Sequence, residues 1–178
     1  MPDTKTIERY SPSLKILHWM MAAMMLTALC TGFLMIRIDG GSLQNSLFDL
    51  HRSLGVTILL LAPIRVAVHF LTPRPGPVPG LAPIQQLAAN GVHLALYAAF
   101  FAQPIVGLIG TQAFGAPILV WSLVEVPVFF QKDEALSKLL LGLHGLGAWV
   151  LLVLIGAHIG AALHHHFIRR DGLIRRML

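Results

Sequence analysis

The sequence predicts an all-α membrane protein, a bundle of four up-and-down transmembrane helices with both termini cytoplasmic. Three observations predict it. Of 178 residues, 56% are hydrophobic and only 12% charged, where a soluble domain carries about 25% charged residues. With a mean hydropathy of +0.73, a soluble 19.4 kDa sphere cannot hide that much apolar surface. The apolar residues gather in four runs, at 16–36, 54–70, 87–109 and 139–163. Each is near the roughly 20 residues that cross a bilayer, the second being short unless it starts near His51. The third observation is charge asymmetry. Four spans put both termini on one side, and that side carries Lys5, Arg9, Lys15, Arg65, Arg74, Arg169, Arg170, Arg175 and Arg176. The other side carries only Arg37, Arg52, Lys132 and Lys138, so the positive-inside rule orients the termini to the cytoplasm of an inner membrane.

Span one follows Lys15, as a signal peptide would, but its apolar run is too long and no small-x-small cleavage site follows. It is read as mature structure. Between spans one and two, residues 38–48 with Gly40-Gly41 predict a short periplasmic turn. The next connection, residues 72–80, has four prolines in nine positions and cannot be helical. The third, residues 111–137, is the longest and is apolar, divided by Pro117 and Pro127. It predicts short segments lying on the bundle, with Trp121 at headgroup depth. Span four ends in the basic tail 169–176, which together with the net charge of +5 reads as a topology signal and lipid contact, not a nucleic-acid patch. One cysteine, Cys30, excludes a disulfide framework and any all-cysteine metal site. With no repeat or domain boundary, residues 1–178 read as a single domain.

Nine histidines in so apolar a chain require an explanation. His144 and His158 stand fourteen apart on span four. That offset returns to within about 40° of one helix face while moving about 21 Å along the axis. Matching depth on antiparallel spans pairs His51 with His144 toward the periplasm and His18 with His158 toward the cytoplasm. Two imidazoles at each of two depths are what two haem groups with bis-histidine axial ligation require, and such iron has no open position for oxygen and passes single electrons. The same fourteen-residue step leads from His18 to Gly32, from His51 to Arg65 and from His93 to Gly107. These glycines, with Gly145, Gly147, Gly156 and Gly160, leave room for a macrocycle or serve ordinary helix packing. Arg65, a charge within a span at the depth of the inner haem, has a haem propionate as its natural counter-ion or snorkels to the headgroups. His93 lies at the same depth, so three histidines compete for two axial positions there. Its other roles are a propionate hydrogen bond or a contact to quinone. His69 is a weaker fourth candidate, and His164, His165 and His166 read as interfacial.

Ser11-Pro12 with Leu17-His18-Trp19, then His51-Arg52-Ser53-Leu54-Gly55, then His93-Leu94-Ala95-Leu96-Tyr97 with Pro104 and Gly107, resemble the bacterial cytochrome b561 family. The closing segment resembles it most closely, with His144, His158, Ala161-Ala162-Leu163, His165-His166-Phe167 and Arg170-Asp171-Gly172-Leu173. That family is similar in architecture to the di-haem membrane subunits of hydrogenases and formate dehydrogenases. The resemblance implies two haem b groups on His18, His51, His144 and His158, with His93 a non-ligand by analogy. It implies electron exchange with membrane quinone, and superoxide oxidation outside has been associated with family members, which would make the chain a quinone-linked oxidoreductase. Arg52, Lys132 and Lys138 are the outward-facing cations available to attract such a small anion. An alternative is a haem-containing anchor subunit that receives electrons from a soluble dehydrogenase. Against it, the chain offers little extramembrane mass beyond 111–137.

Overall fold

A computed structural model describes residues 9–77 and 80–178. It contains four long helices, α1 (Pro12–Met35), α2 (Gly41–Leu71), α3 (Pro83–Phe114) and α4 (Glu134–His164), each apolar and long enough to cross a membrane. Lys5, Val78 and Pro79, used above for charge and for the proline loop, lie outside the described residues.

Every helix is longer than its apolar run. Ser11 caps α1 by accepting the Leu14 N–H at 3.3 Å, and Asp133 caps α4 by accepting that of Leu136 at 3.0 Å. The largest departure is α2, which starts at Gly41, so most of the expected turn at 38–48 is helix. Gly40 and Gly41 both adopt positive φ, 73° and 86°, which reverses the chain within a few residues. Gln44 then reaches back, its amide donating to the Met35 carbonyl and its oxygen accepting the Gly40 N–H. A hydropathy pattern cannot see these polar helical turns, because they lie outside the apolar run.

The third connection is shortened from both sides and holds a two-stranded antiparallel hairpin, β1 (Leu119–Val120) and β2 (Val124–Glu125). Its turn places Trp121 and Ser122 at positive φ, 52° and 59°, a conformation that costs non-glycine residues about 1–3 kcal/mol each. Two bonds to α2 offset part of this: the Trp121 main-chain N–H donates to Ser53 Oγ at 2.9 Å, and its indole N–H to Thr57 Oγ1 at 3.1 Å. Trp121, expected at headgroup depth, thus bonds α2 through both of its N–H groups while its ring stays exposed.

In the bundle α1 packs on α2, α2 on α3 and α3 on α4, while Phe33 of α1 meets Trp149 of α4 at 4.9 Å. The buried core gathers Met21, Met25, Ala28 and Leu29 of α1, Leu54, Ile58 and Ala62 of α2, and Leu151 of α4. After α4, a π-helical turn (His165–Arg169) and a 3-10 turn (Leu173–Arg176) fold the tail back under the bundle. There Arg176 Nη1 donates to the Gly76 carbonyl, Arg169 Nη2 to that of Gly80, Lys15 Nζ to Leu178 and Trp19 Nε1 to Met177. The main-chain N–H of Tyr10 donates to the Arg176 carbonyl, so the residues leading into α1 meet the tail at one end of the bundle, here the terminal end. Two arginines of the basic tail are thereby engaged with the proline-rich loop.

Candidate functional site

At the end of the bundle away from the termini, the rings of His51 on α2 and His144 on α4 face each other with centres 5.8 Å apart. Each is oriented by a main-chain carbonyl. His51 Nδ1 donates to Ala28 at 2.8 Å, with Thr31 Oγ1 at 3.4 Å, and His144 Nδ1 donates to Gln103 at 3.1 Å. A carbonyl only accepts, so both Nδ1 atoms carry the proton and both Nε2 atoms are bare. Gln103 precedes Pro104, which withholds an N–H from the α3 ladder at this level. Two glycines stand against the rings. A Cβ at Gly32 would lie 3.0 Å from His51 Cε1, and one at Gly107 would lie 2.9 Å from His144 Cε1. At these two glycines the absent Cβ leaves room for the edges of the His51 and His144 rings. A Cβ at Gly147 would overlap the Gln103 amide, while Gly145, Gly156 and Gly160 border open space.

At the terminal end the arrangement is more crowded. His18 of α1 and His158 of α4 have ring centres 6.1 Å apart, and His93 of α3 stands 5.3 Å from the same His158. Arg65 of α2, only 7% exposed, donates from Nη2 to His18 Nδ1 at 3.1 Å. A guanidinium has no acceptor, so His18 Nδ1 is bare and its Nε2 carries the proton, the reverse of the distal pair. Among the described residues Arg65 Nε and Nη1 are buried without a partner. Two orphaned donors on a buried cation cost about 1–3 kcal/mol each, and a carboxylate oxygen could satisfy either. The guanidinium does not snorkel outward. His69 instead takes Arg74 Nη1 on its Nε2 at 2.9 Å. In the triple run, His165 bonds Asp171, which also pairs with Arg169. Among the described residues no three His, Cys, Asp or Glu side chains gather as a metal cluster.

The sequence profile of the prokaryotic cytochrome b561 family matches residues 9–178. The chain belongs to that family. It is 35% identical to cytochrome b561 homolog 2 of Escherichia coli (strain K12), over all of this chain and 95% of that protein. It is 28% identical to cytochrome b561 homolog 1 of the same organism, over 97% of this chain and 98% of that protein, and 28% identical to the probable superoxide oxidase CybB of Yersinia pestis, over 91% of each. It is therefore a membrane electron-transfer protein, multi-pass in the bacterial inner membrane, and membership implies haem b.

The distal residues fit that cofactor as they stand, while at the terminal site His18 would bind iron through Nε2 only once Arg65 releases Nδ1 to carry the proton. An iron held between two imidazoles by bonds of about 2 Å keeps the ring centres about 6 Å apart. The separations of 5.8 and 6.1 Å match, whereas His93–His158 at 5.3 Å is short. The orphaned donors of Arg65 suit a propionate. Several contributors escaped sequence reasoning. The carbonyls of Ala28 and Gln103 carry no sequence signal, although the proline after Gln103 marks a disturbed helix. Tyr97, whose ring lies under the Arg65 guanidinium, stands four after His93 on the same helix face, and that spacing was a usable signal.

Proposed function

We propose that the chain is a stand-alone di-haem cytochrome with both termini in the cytoplasm, carrying electrons across the membrane between a periplasmic donor and membrane quinone. The observation that carries this is a pair of facing imidazoles at each end of one bundle, His51 with His144 and His18 with His158, with an apolar core between them. His51 with His144, and His18 with His158, would each hold a haem b, which would supply a one-electron couple.

The rest is work for the chain's own residues. Ala28 and Gln103 hold His51 and His144 with Nε2 aimed inward. Arg65 neutralises a propionate at the terminal site. His93, beside His158 and left without an axial role, holds a proton where a quinone or a propionate meets the cluster. For a superoxide donor the balance is two superoxide anions, one quinone and two protons giving two dioxygen molecules and one quinol. The likeness to the probable superoxide oxidase of Yersinia pestis supports this donor. The cations facing it are Arg52, Lys132 and Lys138, of which Arg52 already donates to the Pro117 carbonyl and lies 3.8 Å from Asp49.

Haem quantitation by pyridine haemochrome, with stopped-flow mixing against superoxide and against quinol, tests the reading. Two haems per chain and reduction by both reagents are expected. One haem per chain, or no reduction by either, overturns it. Reduction by quinol alone removes superoxide as donor, and a stoichiometric dehydrogenase copurifying from native membranes would favour the anchor-subunit reading instead.

A further inference from the structure

Arg65 is nearly buried, yet among the described residues its side chain makes one hydrogen bond, from Nη2 to His18. A long side chain with one polar tether needs a second constraint to hold its charge in one place. The structure supplies an aromatic face. The guanidinium carbon lies 5.6 Å from the ring centre of Tyr97, within reach of a cation–π contact that strengthens when water is excluded. The ring is itself braced, tilted at 56° against His69 at 5.8 Å and edge-on to Phe100 at 6.2 Å.

We propose that Tyr97 is a positioning residue that holds the Arg65 guanidinium inward at the terminal site and thereby raises the reduction potential of the haem bound there. The inference rests on the two-haem reading above. A fixed cation beside a haem favours the reduced form, which carries one less positive charge, and the effect fades as the charge swings toward water. Tyr97 acts through Arg65 and need not touch the cofactor.

Haem-loaded wild type, Tyr97→Phe and Tyr97→Leu are titrated redox-potentiometrically by α-band absorbance, with haem content measured on each sample. Tyr97→Leu is expected to keep two haems and lower one potential by about fivefold in the reduction equilibrium constant. That potential is the one missing from His158→Ala. Tyr97→Phe keeps the aromatic face and leaves both potentials in place. In an Arg65→Leu background, Tyr97→Leu adds no further shift. Should Tyr97→Leu lose haem, Tyr97→Met, whose unbranched chain adapts to the space, takes its place. Unchanged potentials at two haems per chain overturn the proposal and leave the two-haem reading intact. An equal shift without Arg65, or in Tyr97→Phe, also overturns it. A wild-type chain with fewer than two haems brings down both.

Discussion

At the distal end, both imidazoles are held by main-chain carbonyls, Ala28 for His51 and Gln103 for His144. At the terminal end, His18 is held by a side chain, the guanidinium of Arg65, and a third histidine crowds His158. Backbone cannot swing away, so the distal pair is set before any ligand arrives, with both Nε2 atoms bare. The terminal pair is set by a charge that itself lacks a counter-ion. On the proposed two-haem reading, the distal ligands are thus placed by backbone and His18 by a charged side chain.

The largest test removes ligands. His51→Ala or His144→Ala should lower the haem content from two per chain to one, and His18→Ala should do the same at the other end, while His93→Ala leaves two. If His93→Ala costs a haem and His18→Ala does not, the crowded end is paired the other way. Next in size is the order of loading. Haem titrated into haem-free protein should fill the distal site first, with an affinity about tenfold or more higher, equivalent to about 1.4 kcal/mol. Equal affinities, read from the same titration in His144→Ala and His158→Ala, would erase the contrast between the two ends.

A smaller effect separates two glycines beside the distal pair. In Gly107→Ala the new methyl meets the His144 ring, which the Gln103 carbonyl restrains, so about 1–3 kcal/mol of overpacking should lower the thermal midpoint. In Gly147→Ala the obstacle is the free end of the Gln103 side chain, which can swing aside, and the change should stay under about 1 kcal/mol. Equal losses would mean that His144 is not held as described.

The smallest effect lies in the tail under the terminal end. Burial pushes the Asp171 carboxyl up, but the His165 bond, the Leu173 N–H and the nearby charges of His165 and Arg169 together hold it below its ordinary value. A depressed carboxyl stabilises the fold at pH above its unfolded value, and that contribution fades as pH falls through the folded one. Asp171→Asn should therefore lower the thermal midpoint slightly at pH 7 and make no difference in strong acid. A constant difference across that range would detach the effect from the ion pair.

The membrane class and the four spans were legible because apolar runs near 20 residues have few other uses. The helix ends were not, since Gly41 and the polar turns after it are helical for local reasons that hydropathy ignores. The four histidines were legible through spacing, as both the fourteen-residue step and the antiparallel order of spans are arithmetic. Arg65 was legible as a charge in the wrong solvent, but the choice between outward and inward was not, because a long side chain reaches both ways.

By itself the sequence determined the family, through its motifs, and the bundle and which imidazoles share a depth, since composition and periodicity act along one chain. Only the tertiary structure decided which nitrogen of each ring is free, that Tyr97 lies beneath Arg65, and that Gly32 and Gly107 back the distal rings. Those facts depend on carbonyls, ring faces and missing methyl groups meeting across helices, and such groups carry no pattern until the helices pack.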